Sequence, residues 1–531
     1  MSLRSLKPIR VAVALVFLVL TMGLFLDFRG VGVRRLADGV LYLQFVPSLL
    51  RFLGNAALGA TGFLVVIALT LLFGRIYCST VCPLGTLQDA IRRLSDARRR
   101  IAGKKRLRYA FSKPHAAIRY TVLGLTVLLL LAGSGLLLNL LDPFSNFGRI
   151  LANLAEPVVL AANNLAGLVA ERWGIHAVYQ VPWPVVAPVS VGLALAMLLT
   201  VGWLGARHGR LYCNTLCPVG TLLGMVSKHA LFRLRIDPAT CGACGRCERV
   251  CKAGCIDFRE KTVDFSRCVG CCNCLAVCPD QALRFGRGQG KSPEAGTDGR
   301  GRRRFLIGLA ATGLGLAAPK TTPAQPAGFV QSRPTTIPEE RTGPVSPPGS
   351  QSVAHFTSRC TACHLCVAAC PSRVLVPSFL EYGPSGLMQP RLDFRSGYCN
   401  FDCTACSAIC PSGAILPVAK ALKQRTQLGV ARFVKENCVV HTDNTNCGAC
   451  SEHCPTKAVH MVPYLTMADR KLVIPEVNEA ICVGCGACEH ACPTRPYKAI
   501  YVRANPVHKQ AEKPVEKALP PSPPTGEDFP F

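Results

Sequence analysis

Long apolar runs in the first 205 residues and six tight cysteine groups after residue 240 predict a multidomain chain. Its fold class is a four-helix transmembrane domain plus small α+β domains built on cysteine loops. A third observation supports the division. Half of the 531 residues are apolar, but the apolar runs and most of the cysteines occupy different parts of the chain. The 30 cysteines fall largely in C-x2-C groups that end in Cys-Pro, which is metal-cluster spacing rather than a disulfide framework. A net charge of +29 first suggests nucleic acid. Many of the basic residues, however, lie in short loops beside apolar runs, where they orient a membrane protein. The commoner nucleic-acid motifs are absent, so no nucleic-acid partner is expected.

The membrane domain is expected over residues 1–230. A spanning helix needs about 20 mainly apolar residues. Ile9–Leu26, Leu58–Phe73, Ile118–Leu141 and Val185–Leu204 are the four runs that approach this. Between the second and third lie Arg92, Arg93, Arg98, Arg99, Arg100, Lys104, Lys105, Arg106, Arg108 and Lys113, whereas the next loop has only Arg149 and Arg172. By the positive-inside rule the first of these loops is cytoplasmic, as are both ends of the four-helix unit, and residues 142–184 lie outside. Within them Ile150–Ala170, interrupted by Pro157, reads as an interfacial helix or loop.

Residues 74–87 (GRIYCSTVCPLGTL) and 209–222 (GRLYCNTLCPVGTL) are identical at ten of 14 positions, an internal duplication. Each copy follows a span that ends on the cytoplasmic side, so Cys78, Cys82, Cys213 and Cys217 can converge there. Three readings stand for these thiols: a further cluster, two redox-active dithiols, or small-residue packing at helix ends with Pro83 and Pro218 as breakers.

Residues 231–290 carry Cys241, Cys244, Cys247 and Cys251, then Cys268, Cys271, Cys274 and Cys278, the C-x2-C-x2-C-x3-C pattern of two-cluster bacterial ferredoxins. The fourth cysteine of each group serves the other cluster. One set is therefore Cys241, Cys244, Cys247 and Cys278, and the other is Cys268, Cys271, Cys274 and Cys251. Zinc knuckles would use paired C-x2-C instead. Lys252 stands where Pro is usual, and Cys255 and Cys272 read as spare thiols.

Residues 291–318 hold Arg302-Arg303-Arg304-Phe305-Leu306 ahead of an apolar run, a twin-arginine export signal or anchor. The Pro-rich stretch 319–352 reads as an extended, solvated linker, and residues 504–531 as a disordered tail. Between them, residues 353–503 carry four more groups, each ending in Cys-Pro. They are Cys360, Cys363, Cys366 and Cys370; Cys399, Cys403, Cys406 and Cys410; Cys438, Cys447, Cys450 and Cys454; and Cys482, Cys485, Cys488 and Cys492. Fourth ligands are expected to swap within pairs, but spacing does not say which groups pair. Cys360-Thr-Ala-Cys363-His364 also fits c-type haem attachment, which would orphan Cys366 and Cys370. Six 4Fe–4S clusters are expected, or seven with the repeat thiols.

The four-span unit with two C-x3-C-P repeats and a trailing two-cluster ferredoxin resembles NapH and MauN. The twin-arginine polyferredoxin resembles NapG and MauM. Together they cover nearly the whole chain, fused here into one polypeptide. The resemblance implies a quinol dehydrogenase module of the bacterial inner membrane. It would take electrons from the quinone pool to a periplasmic redox partner of the nitrate-reductase kind, with its first ferredoxin cytoplasmic and its C-terminal domain periplasmic. The alternative is an accessory redox factor that matures a partner metalloenzyme, as the similar CcoG-like membrane ferredoxins suggest. No His/Asp/Glu constellation marks a quinone pocket. Asp142, Glu156 and His176 are the candidates on the outer side, and the catalytic residues are unknown.

Overall fold

The computed structural model describes residues 6–27, 37–54, 61–105, 107–174, 176, 178–181, 183, 187–287, 334–467 and 470–513. The twin-arginine segment lies outside these residues, as do 319–333 of the expected linker and 514–531 of the expected tail.

The first half is helical: α1 (Leu6–Leu26), α2 (Gly62–Phe73), α3 (Pro83–Ile101), α4 (Ala116–Leu131), α5 (Pro143–Ile150), α6 (Glu156–Glu171), α7 (Pro188–His208) and α8 (Pro218–Ser227). At 1.5 Å per residue, about 20 residues are needed to cross ~30 Å of hydrocarbon. Among the described helices, only α1 and α7, of 21 residues each, are long and apolar enough. Most of their surface is left uncovered by protein, with Leu15, Val16 and Val19 exposed on one and Leu193, Leu195 and Leu199 on the other.

Of the four expected spans, two are met among the described helices. α2 has 12 residues and α4 has 16. The run expected over Ile118–Leu141 is broken at Gly133, whose φ of +80° ends α4. Ser134 N–H bonds Leu129 O at 2.8 Å and Gly133 N–H bonds Leu130 O at 3.1 Å, the paired bonds of a Schellman stop. A short helix, Leu136–Leu141, follows, and every residue from Asp142 to Leu151 is buried. Asp142 caps α5, accepting from the Ser145 amide at 2.8 Å and its hydroxyl at 2.6 Å. One π-helical turn, Leu151–Ala155, precedes α6, next to Pro157, which has no N–H to give a helical ladder.

The ferredoxin segment is closed by β1 (Phe232–Ile236) paired antiparallel with β2 (Leu283–Arg287), so the two ends of the segment meet over its cysteine loops. In the C-terminal domain β3 (Thr426–Phe433) receives β6 (Ile500–Gln510), and β4 (Val459–Met467) forms a hairpin with β5 (Arg470–Val477). β6 carries ordered strand through Gln510, beyond the expected boundary at 503. Its Tyr501, Val502 and Ala504 are buried, and that burial holds the strand in place.

The linker is also corrected over its described part. Residues 345–350 are buried. Val345 bridges to Leu392 and Ser352 to Val507, because Val345 belongs to the core around Phe356 and Leu392. An extended Pro-rich backbone can pack as well as dissolve.

The two halves share a core. Cys363, Leu365, Ala369 and Ile409 pack in one cluster with Phe25, Phe144 and Phe147.

Candidate functional site

Local sequence explains the cysteine loops. In several groups a short helical turn begins at or just before the third cysteine, as in Leu365–Ala368, Ala449–Glu452 and Ala487–Ala491. Left-handed residues before such turns, Gly245, Cys272, His364 and Gly486, fold the preceding loop back.

No disulfide joins any of the 30 cysteines, and all but Cys255 and Cys272 gather in sets of four. Cys241, Cys244, Cys247 and Cys278 line one cavity. Cys251, Cys268, Cys271 and Cys274 line another. These are the two swapped sets that the spacing implies. In the C-terminal domain Cys399, Cys403 and Cys406 share a cavity with Cys370, and Cys438, Cys447 and Cys450 share one with Cys492. Cys410 is an electrostatic neighbour of Cys360, Cys363 and Cys366. Cys454 is likewise one of Cys482, Cys485 and Cys488. The first group therefore pairs with the second and the third with the fourth, which spacing left open. The Cys399 amide donates to the Cys485 carbonyl at 2.9 Å, joining the two pairs.

Among the described residues no three His, Cys, Asp or Glu converge tightly enough for a single metal ion. Four-cysteine sets without such a point of convergence suit a four-iron cubane and not a zinc knuckle. The haem reading fails on position: Cys366 and Cys370 belong to built sets, and His364 is held by Asn153 at 3.1 Å and the Met388 carbonyl at 2.8 Å. Cys255 and Cys272 line the same cavity as Cys251, with Cys255 Sγ 3.5 Å from Cys251 Sγ.

The duplicated thiols do meet. Cys78, Cys82, Cys213 and Cys217 are each buried at 3–4% exposure. Pro83 and Pro218 are helix starters: Cys82 and Cys217 are the N-caps of α3 and α8, with Pro at the first helical position. Two helix N-termini thus meet the thiols.

The arginine of each repeat crosses to the other repeat. Arg75 donates to the Cys213 carbonyl at 3.1 Å, and Arg210 donates to the Cys78 carbonyl at 3.0 Å. Gly85 and Gly220 make room for this. A Cβ on Gly85 would sit 2.4 Å from the Arg210 guanidinium, and one on Gly220 would sit 2.8 Å from that of Arg75. Arg75 Nε, Arg210 Nε and Gln88 Nε2 are buried donors with no partner. A buried set of four thiols ringed by unspent donors and guanidinium charge fits an anionic cluster.

These arginines escaped notice in the sequence, although each stands at the same place in the repeat. Asp89 escaped too. It gathers Lys252 at 3.0 Å, Arg210 at 3.1 Å and Arg10 at 3.3 Å. Burial raises its pKa, but Arg210, then Lys252 and Arg10, outweigh this and hold the carboxyl well below the usual carboxylate range. Lys252, the substitution for the usual Pro, thus ties the ferredoxin to the helical half, and its carbonyl accepts from the Arg210 amide at 2.9 Å.

On the other side of the thiols a hydrogen-bonded path runs to the C-terminal domain. Asn146 bonds Tyr212 Oη at 3.3 Å, Arg149 bonds Asn146 at 2.5 Å, and Asn153 bonds both the Arg149 carbonyl at 2.8 Å and His364. α5 lies directly on the first cysteine loop, where a Cβ at Gly148 would be 2.3 Å from the Cys363 carbonyl. Of the three outer-side candidates, Asp142 is a helix cap, His176 is exposed, and Glu156 is buried in an ion pair with Arg373.

A 4Fe–4S binding domain pattern matches residues 55–105 and again 190–237, the two copies of the repeat. A second 4Fe–4S binding domain matches residues 261–284 and a 4Fe–4S dicluster domain matches 445–495. The chain is similar to ferredoxin-type protein NapF of Escherichia coli, 28% identical over 140 residues that are 26% of this chain and 74% of the relative. It is 25% identical to ferredoxin-type protein NapH of Haemophilus influenzae over 257 residues, 46% of this chain and 71% of the relative. It is 32% identical to ferredoxin-type protein NapG of Escherichia coli over 164 residues, 29% of this chain and 63% of the relative. No solved structure matches it. The cysteine sets and the matched domains make the chain an iron–sulfur electron-transfer protein related to these ferredoxins.

Proposed function

We propose that this iron–sulfur protein sits in the bacterial inner membrane, oxidises quinol and delivers the electrons to a periplasmic reductase of the nitrate-reductase kind. The observation that carries the reading is the continuity of cysteine sites. The buried thiols Cys78, Cys82, Cys213 and Cys217 lie between the ferredoxin, joined through Arg75 and Lys252, and the first C-terminal loop, joined through Tyr212, Asn146 and Arg149. Bound 4Fe–4S clusters supply one-electron chemistry, which suits a two-electron donor whose electrons must be separated. The chain's own residues bury the sets, space them and surround them with donors.

Six sets in the ferredoxin domains and a seventh at the repeat are the expected complement. A bilayer of about 30 Å separates cytoplasmic from exported clusters, and the repeat thiols supply an intermediate station. In this reading the ferredoxin at 231–290 is cytoplasmic and residues 353–503 are exported by the twin-arginine segment. The test is anaerobic addition of a short-chain quinol to the purified protein, followed by redox titration. Cluster bleaching on the timescale of turnover supports the reading. Reduction by dithionite but never by quinol overturns it.

A further inference from the structure

Four of the described cavities are lined by cysteine sets; a fifth is not. It is a cleft between α6, the start of α7 and the first C-terminal cysteine loop, lined by Asn153, Glu156, Val191, His364, Arg373 and Leu375 among others. Its make-up, apolar walls with a few placed polar groups, is that of small-molecule sites.

We propose that this cleft holds the head group of a quinol, with Glu156 and Arg373 as its polar partners; the assignment rests on the quinol reading above. Two observations carry it. First, the polar groups are unequal. His364 is already spent, since its Nε2–H faces the Met388 carbonyl at 2.8 Å and its Nδ1 faces Asn153 at 3.1 Å. Asn153 Oδ1 in turn accepts from Ser190 at 2.6 Å. Glu156 and Arg373 are paired with each other at the cleft wall, and a carboxylate with a guanidinium can bond the two oxygens of a head group. Second, the outer rim is lipophilic. Val158 is 67% exposed next to the lining Pro157, and Val189 is 41% exposed close to the lining Val191. An isoprenoid tail can lie along these faces while the polar head enters. On its inner side the cleft is bounded by His364, the neighbour of Cys363 in the sequence, so a head group here meets the first C-terminal cysteine set.

The test uses the full chain in lipid nanodiscs and a photoreactive azido-benzoquinone bearing a short alkyl chain. Label is expected on peptides containing Asn153–Pro157 and Val191, displaced by excess unlabelled quinone. Val191→Trp, which fills the cleft, and Glu156→Gln should each cut labelling at least tenfold. The dithionite-reduced cluster spectrum must stay unchanged, which serves as the folding control. If wild type is reduced by quinol but the label falls elsewhere, or both variants label normally, the cleft is the wrong site and the quinol reading stands. If quinol never reduces wild type, the quinol reading fails and the cleft assignment falls with it.

Discussion

Arg75 and Arg210 are the side chains that cross between the two copies of the repeat. Each is essentially fully buried, and each bonds a cysteine carbonyl in the opposite copy. A lysine brings one compact charge where a planar fork is used, so Arg→Lys is not conservative here. Arg210→Lys should therefore lower bound iron by about four per chain, one cubane, while the ferredoxin signals persist. Iron analysis paired with electron paramagnetic resonance checks this. Cys78→Ser or Cys213→Ser should give the same loss if the thiols hold a cluster, and unchanged iron with lost quinol activity if they cycle as dithiols. Asp89 stands behind these arginines. Asp89→Asn would leave Arg10, Arg210 and Lys252 facing one another without their shared anion. Breaking a buried pair in this way costs about 3–5 kcal/mol, to be read as a lowered Tm with the ferredoxin segment loosened first.

Among elements, the swapped fourth ligands make a sharp prediction. Cys410 neighbours the first C-terminal set and Cys370 lines the cavity of the second. Cys410→Ser should then disturb the cluster of Cys360, Cys363 and Cys366 and spare that of its own sequence neighbours, with Cys370→Ser doing the reverse. The strap 345–350 carries a pH prediction. Ser346 bonds His508 at 2.9 Å, and burial alone lowers the His508 pKa to about 4. An exposed histidine takes up its proton near ~6.5, so His508 of β6 binds its proton more readily once the strap is released. The tether is complete above about 6.5 and weakens as pH falls toward 4. Amide exchange over 345–352, corrected for intrinsic rate, should rise across that window, and His508→Gln should flatten the rise.

Sequence reading located the cysteine sets because cluster ligation demands fixed spacing. It also found the duplication that brings four thiols together, and the swap within Cys241–Cys278. Helix lengths were less legible. Leu58–Phe73 and Ile118–Leu141 look continuous by hydropathy, and only backbone geometry at Gly133 reveals the stop. The strap was missed because Pro-rich composition reports extension and not whether the extended chain is covered.

For the whole molecule, six complete sets with the repeat thiols imply about 24 or about 28 iron per chain at four per cubane. Zinc in place of iron, or fewer than about 16 iron after full reconstitution, would contradict that count. Replacing Arg302 and Arg303 by lysine should strand the C-terminal domain in the cytoplasm, where protease added to spheroplasts cannot reach it. Continued trimming in that double variant would remove the twin-arginine reading.

The crossed arginines also bear on ancestry. The two copies of the repeat bond crosswise: the guanidinium of each donates to a cysteine carbonyl of the other. That is the reciprocity of a two-fold interface, in which residue i meets j and j meets i. A protein encoding one copy would have to pair with its twin to build the same chamber. Fusion of the two copies in one gene removes that need and frees each half to diverge, as Ser79 and Asn214, which stand at equivalent places, already have. Asn214 now accepts from Arg75 at 2.9 Å, while Ser79 presents its backbone carbonyl to Arg10 at 3.0 Å.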